Sequence, residues 1–179
     1  MAEIPTDYET DAGDRHDQLR LWLRLLSCTY LIENEIRSRL LQSFDTTLPR
    51  FDLMAQLDRV PEGLTMGALS ARLMVSNGNT TGIVERLVAE GLVKRTVSNA
   101  DRRSTTVSLT AKGRNAFKVM ATQHESWIRE LFTEIDPATT KRLLTLLGET
   151  KDAVRKSLAA PRAAAAPAAT PRRKKSAKS

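Results

Sequence analysis

The residues with chemistry to offer fall in two short runs of this 179-residue chain. The first is Ser76-Asn77-Gly78-Asn79-Thr80-Thr81-Gly82, dense in hydroxyls and amides, and the second is Asp101-Arg102-Arg103-Ser104. Amide and hydroxyl side chains pair with base edges in a major groove. Exposed arginines enter a narrow minor groove, where the negative potential is enhanced. The two runs together are therefore equipped to bind a nucleic-acid duplex. Asp101 by itself would repel phosphate, so its expected task is to orient Arg103 through a charge-assisted hydrogen bond. Gly78 and Gly82 each cost about 1 kcal/mol relative to alanine inside a helix, and close approach of the backbone to a ligand is the expected reason for them.

The elements that must position these runs can be read on either side. Pro61-Glu62-Gly63 makes a turn, and Thr65 is placed to cap a helix from about Met66 to Met74 with Met66, Leu69, Leu73 and Met74 on one face. After Val75, Ser76 is placed to cap a second helix, whose expected apolar stripe is Ile83, Val84, Leu87 and Val88 and whose stop is Gly91. So tight a connection suits a helix-turn-helix, in which the first helix braces the second in the major groove. The alternating, β-branched runs Leu92–Val97 and Thr105–Leu109 then predict a hairpin, with Arg102 and Arg103 at its polar tip. Arg86, Lys94 and Arg95 add positive charge beside it.

The run Val84-Glu85-Arg86-Leu87-Val88-Ala89-Glu90-Gly91-Leu92-Val93-Lys94-Arg95 closely resembles the multiple-antibiotic-resistance regulator (MarR) family. So do Leu69-Ser70 with Leu73, Val75-Ser76, Asp101-Arg102-Arg103-Ser104 and Val107-Ser108-Leu109-Thr110-Ala111-Lys112-Gly113. The most specific piece is Leu-Thr-x-x-Gly, here Leu109 to Gly113, and with its flanks the resemblance covers roughly residues 19 to 158. It implies a mainly α fold with a small β-hairpin wing, in which Ser76, Asn77, Asn79, Thr80 and Thr81 face the major groove and Arg102, Arg103 and Ser104 form the wing.

Helical spacing marks the flanks as well. Leu19, Trp22, Leu26, Tyr30, Ile36, Leu40 and Phe44 define a helix over about 17–44. A second begins near Pro49 with Phe51, Leu53, Met54 and Leu57; Thr110 caps a third, running to about Glu134; Pro137 opens the last, through Leu143, Leu144, Leu147, Val154 and Leu158. Long terminal helices with surplus apolar faces expect a partner. The resemblance implies an isologous homodimer held by the helices at 17–44 and 137–158, with half-sites about one DNA turn apart. The expected organisation is an acidic disordered segment at 1–16, a single domain at 17–158 with its winged core at 64–113, and a disordered tail at 159–179.

Charge distribution supports this reading. Of a net +7, the stretch from Pro161 to Ser179 carries +6 with no acid, the first 17 residues carry −5, and Gly67 to Asn115 carries +5. Positive charge thus concentrates where phosphates are expected and in the tail, which is read as a non-specific DNA arm or a solvated extension. No run of 18 apolar residues and no signal pattern occurs, so no membrane partner and a cytoplasmic location are expected. One cysteine and two isolated histidines argue against a disulfide, a metal site or any cofactor, and no nucleophile has a base beside it for catalysis.

The resemblance further implies a small-molecule effector, anionic and often phenolic; similarity in the first helices to members near aromatic-acid degradation extends this to an aromatic acyl-coenzyme A thioester. Trp22, Arg24, Tyr30, Arg37 and Arg50 are the candidate pocket residues, though for each one alone core packing or a surface ion pair is the more common role. Two rival readings remain: thiol-based redox sensing through Cys28, set against a buried small hydrophobe, and a non-specific architectural DNA-binding protein. If the wing reads DNA, Arg103→Ala lowers specific affinity by roughly 1–3 kcal/mol in a titration, and an unchanged affinity would remove the wing from recognition.

Overall fold

The computed structural model describes residues 16–73, 77–97 and 105–160. The chain divides into two units, one ending at Phe132 and the other beginning at Thr133. The first contains α1 (Asp17–Phe44), α2 (Leu48–Asp58), β1 (Leu64–Thr65), α3 (Met66–Leu73), α4 (Asn77–Ala89), β2 (Val93–Val97), β3 (Thr105–Leu109) and α5 (Ala111–Leu131). The second contains α6 (Pro137–Ala159).

The short helix α2 is the centre of the first unit. Pro49 stands in its first turn, where a missing N–H is harmless, and Phe51, Leu53, Met54 and Leu57 are all buried. Around it gather Ile36 and Leu40 of α1, Leu69 of α3, Val84 and Leu87 of α4, Val93 of β2, Val107 and Leu109 of β3, and Phe117, Met120 and Trp127 of α5. Phe51 meets Phe117 with ring centroids 5.4 Å apart, and Phe44 meets Trp127 at 6.1 Å. These separations are within the range of favourable offset aromatic contacts.

The wing is more than a hairpin. β3 pairs antiparallel with β2, Val93 opposite Leu109 and Val97 opposite Thr105, and on its other edge with β1, Leu64 opposite Val107. A two-residue strand is too short to show alternation, so the sequence reading contained no third strand. Thr65 nonetheless caps α3 as expected, its Oγ1 accepting from the Ala68 N–H at 3.2 Å. Along α4 the buried stripe is Thr80, Val84 and Leu87, with Ile83 half-buried at its edge. Val88, expected in the stripe, is 38% exposed; at 100° per residue it lies about 80° round from Thr80 and off the buried face.

Helix α4 stops as its glycine requires. Gly91 has φ +71°, the Gly91 N–H donates to the Val88 carbonyl at 2.9 Å, and the Leu92 N–H donates to the Leu87 carbonyl at 2.9 Å, which is a Schellman closure. Immediately after it, the Leu109–Gly113 motif closes the unit. The Thr110 Oγ1 accepts from the Gly113 N–H at 2.9 Å, capping α5, and donates to the Gly91 carbonyl at 2.7 Å; the Thr110 N–H donates to the Leu92 carbonyl at 3.0 Å. Gly113 packs so closely on this turn that a Cβ would stand 1.9 Å from the Leu92 oxygen.

α5 ends at Leu131, short of the expected Glu134. Asp136 precedes Pro137 and is held extended at ψ 157°, as a residue before proline prefers. Its carboxylate accepts from the Ala138 and Thr139 N–H groups at 2.8 and 3.0 Å and starts α6. Bonds from Thr139 hold the Asp136 carboxyl below its ordinary range.

Gly113→Ala forces either a backbone shift or a break in this closure. A loss of roughly 1–3 kcal/mol in urea unfolding is expected, the cost of overpacking a tight site, and an unchanged midpoint would show that the turn has room.

Candidate nucleic-acid interface

Three elements set the interface. The buried stripe of α4 anchors it against α3 and the sheet, so its opposite side, Asn79, Gly82, Glu85, Arg86 and Ala89, is turned to solvent. Thr81 is half-buried at the margin, and Thr80 is fully buried. Thr80 therefore belongs to the packing of the helix and not to its outer face, because it stands four and seven residues before Val84 and Leu87 on one side of the helix. At Gly82 an added Cβ would meet nothing within 4 Å among the described residues, so none of them calls for glycine there. Ser76, Asp101, Arg102, Arg103 and Ser104 lie outside the described residues, as does the side chain of Asn77.

The cations divide into two groups. Arg86 and Lys94 are exposed on α4 and β2, while Arg95 reaches across from β2 to Glu85 of α4, 4.0 Å away. Lys112 and Arg114, counted in the positive charge of this region, are engaged with backbone instead. The Lys112 Nζ donates to the Glu90 carbonyl at 2.8 Å, and an Arg114 guanidinium N–H donates to the Leu109 carbonyl at 3.1 Å. A net-charge count includes these two with the rest; the closure of α5 onto the end of α4 gives both, though exposed, backbone carbonyls as partners.

Behind the interface, a cleft of about 500 Å³ opens between the end of α1, α2, the α4–β2 turn and α5. Phe44, Met54, Leu92 and Met120 supply its apolar wall, and Arg50, Asp45 and Glu90 its charges. Arg50 is ion-paired with Glu90, and its Nε is buried without a hydrogen-bond partner. Asp45 terminates α1 in the left-handed region at φ 47°, its N–H turned to the Leu41 carbonyl at 3.0 Å.

Of the five residues expected in a pocket, only Arg50 lines this cleft. Trp22 and Tyr30 are 57% and 61% exposed on α1. Arg37 donates to Glu33 at 2.9 Å; Asp52, pushed up by burial and by Glu33, is opposed in that shift by Arg37. Arg24 is exposed on α1. Cys28, expected as a buried hydrophobe, is exposed on α1.

Sequence reasoning missed two other features of the scaffold. Arg39 donates to Glu130 at 2.7 and 3.1 Å and to Glu35 at 2.6 Å, tying α1 to α5 across 91 residues of chain, a separation at which no local pattern is visible. The bonds from Arg39 hold the Glu130 carboxyl below its usual range. His124 lies over Phe51 at 4.8 Å, and burial lowers its pKa.

Among the described residues no group of three potential ligands gathers for a metal, and no helix is long and apolar enough to cross a membrane. An outward helix beside a three-stranded wing, braced by a short helix in front, defines a winged helix-turn-helix regulator. The profile of the MarR family matches residues 44–104. A MarR family transcriptional regulator from Silicibacter pomeroyi is 31% identical, with a TM-score of 0.67 over 80% of this chain and 99% of its own. The chain belongs to the MarR family of transcriptional regulators.

Among curated proteins, the transcriptional activatory protein BadR of Rhodopseudomonas palustris is 32% identical over 104 residues, 57% of this chain and 59% of BadR. The chain spans about three-fifths of the length of the first such relatives. AbsC, a MarR family regulator from Streptomyces coelicolor, shares the fold at a TM-score of 0.69 and 21% identity over 81% of this chain and 97% of its own.

The lowered pKa of His124 has a definite consequence for stability. The fold prefers the neutral ring, so stability is complete above the unfolded value of about 6.5 and declines as pH falls through it toward the folded value. Between pH 7 and 5.5 the urea midpoint of wild type should fall further than that of His124→Gln, and parallel declines would assign the acid sensitivity elsewhere.

Proposed function

We propose that the protein acts as a homodimer on a pseudo-palindromic operator and leaves it when a small molecule enters the cleft beside Arg50. The observation that carries the dimer is the apolar surface left uncovered. Leu19, Trp22, Leu26 and Tyr30 stand on one face of α1, each 48% exposed or more, and α6 contains no buried residue although it presents Leu143, Leu144, Leu146, Leu147, Val154 and Leu158. Apolar surface on this scale marks an association site.

In the operator complex, the outer face of α4 enters the major groove with Asn79 and Arg86, and Thr81 beside them; Asn77 is assigned to the same groove on its sequence alone. Gly82 allows a close approach, Lys94 and Arg95 meet phosphates, and Arg102, Arg103 and Ser104 of the wing reach the minor groove. Bound over a promoter, such a dimer excludes the polymerase and represses. The same dimer bound upstream would suit activation, the role named for BadR.

The effector we propose is an anionic aromatic molecule, either a small acid or the acyl end of a coenzyme A thioester. A cleft of about 500 Å³ is in the range that holds drug-sized ligands. Its apolar wall suits a ring, and the unpartnered Arg50 Nε is a buried donor in need of an acceptor. An exposed Cys28 also permits oxidation, which keeps thiol chemistry as the second reading.

Footprinting on DNA selected from a random pool should show a discrete palindrome, and uniform coverage would point to an architectural protein instead. A gel shift against aromatic acids and their coenzyme A esters should find a compound that releases the DNA. Compared at equal fractions of DNA bound, Arg50→Gln should then need at least about tenfold more of that compound for release, the loss of one charge-assisted contact; unchanged sensitivity would place the effector elsewhere.

A further inference from the structure

The C-terminal end of α4 is held by side chains of α2 and of the start of α5. Helix α4 finishes at Ala89, and the next three carbonyls are each claimed by the start of α5. Glu90 accepts from Lys112 Nζ at 2.8 Å, Gly91 from Thr110 Oγ1 at 2.7 Å, and Leu92 from the Thr110 N–H at 3.0 Å. On the opposite side, the Glu90 carboxylate is bound by Arg50 of α2. The absence of a Cβ at Gly113 lets α5 come near enough for all of these bonds.

The geometry points to Lys112 and Thr110 as positioning residues for DNA recognition: they fix the pivot about which α4 is aimed, and they do so through carbonyls and not through phosphate. Leverage makes this matter. The 13 residues of α4 span about 20 Å at 1.5 Å per residue, so a 5° rotation at the Glu90–Leu92 turn moves the first turn by roughly 1.7 Å. Hydrogen bonds to base edges tolerate only a few tenths of an ångström. Phosphate contacts made by flexible lysines and arginines survive such a displacement, so a loosened pivot costs sequence preference and leaves general DNA affinity in place.

A direct phosphate contact by Lys112 predicts a different pattern. Each phosphate neutralised on duplex DNA contributes about 0.9 to the slope of log affinity against log salt, and its loss weakens every sequence equally.

The test compares Lys112→Met with wild type on two duplexes, one selected by the wild-type protein from a random pool and one scrambled from the same bases, each titrated over a range of salt. The variant should bind the selected duplex about tenfold more weakly, the scrambled duplex as before, with an unchanged salt slope, the loss of one charge-assisted hydrogen bond acting through the pivot. Lys112→Arg, which keeps a donor for the Glu90 carbonyl, should restore the preference. Equal weakening on both duplexes with a slope lower by about one would make Lys112 a phosphate contact and overturn the inference, as would undiminished affinity for the selected duplex. Thr110→Ser, which keeps the hydroxyl, should retain preference, and Thr110→Val should lose it. If Thr110→Val does not fold, the exposed Lys112 still carries the test.

Discussion

One close contact governs this protein: the first turn of α5 lies directly on the backbone of Leu92, at a distance that only glycine at position 113 permits. From that contact the Thr110 hydroxyl can serve two ends at once, accepting the Gly113 N–H and donating to the Gly91 carbonyl. A helix start and a helix end, each with orphan backbone groups, satisfy one another without water. The orientation of α4 relative to the long helix α5 is thereby set within a single turn of chain. The motif Leu109–Gly113 is structural in its effect, although it lies beside the residues that address DNA.

Helix α2 supplies the other half of the constraint. Only eleven residues long, it is touched on all sides, with Leu53, Met54 and Leu57 essentially without solvent contact. A displacement of α2 therefore moves α1, α4 and α5 together, since packed interiors transmit shifts rather than absorb them. Arg50 leaves this helix to meet Glu90 at the edge of the cleft. An anion proposed at Arg50 would compete with Glu90 for the guanidinium, and Glu90 immediately precedes the stop of the recognition helix. The cleft and the end of α4 thus meet at one residue, Glu90.

Charge in the core is spent in more than one way. Arg86 and Lys94 remain outward, Arg95 lies near Glu85, and Lys112 and Arg114 close backbone carbonyls. A count of cations by position treats these alike, because it has no access to direction. Apolar surface shows the converse. The N-terminal half of α1 and the whole of α6 are amphipathic without burying their apolar faces, and the proposed dimer is the arrangement that removes them from water.

Much of the molecule was legible from residues alone, where a signal repeats or where one residue type is demanded by backbone geometry. Periodic leucines marked α1 and α6, Pro49 and Pro137 the starts of α2 and α6, Gly91 the stop of α4, and Thr65 and Thr110 the caps. Each rests on local stereochemistry that acts within a few residues. What required the tertiary structure has its cause at long range. The burial of Thr80, the third strand at Leu64–Thr65, the tie from Arg39 to Glu130 and the capture of Lys112 by the Glu90 carbonyl all depend on which segment arrives alongside. No periodicity carries that information. The polar run from Ser76 to Gly82 and the cations near it pointed to DNA from sequence; folding decided that one of those threonines is core and that Lys112 and Arg114 bond backbone carbonyls, because side-chain direction follows from helix phase and from the contact at Gly113.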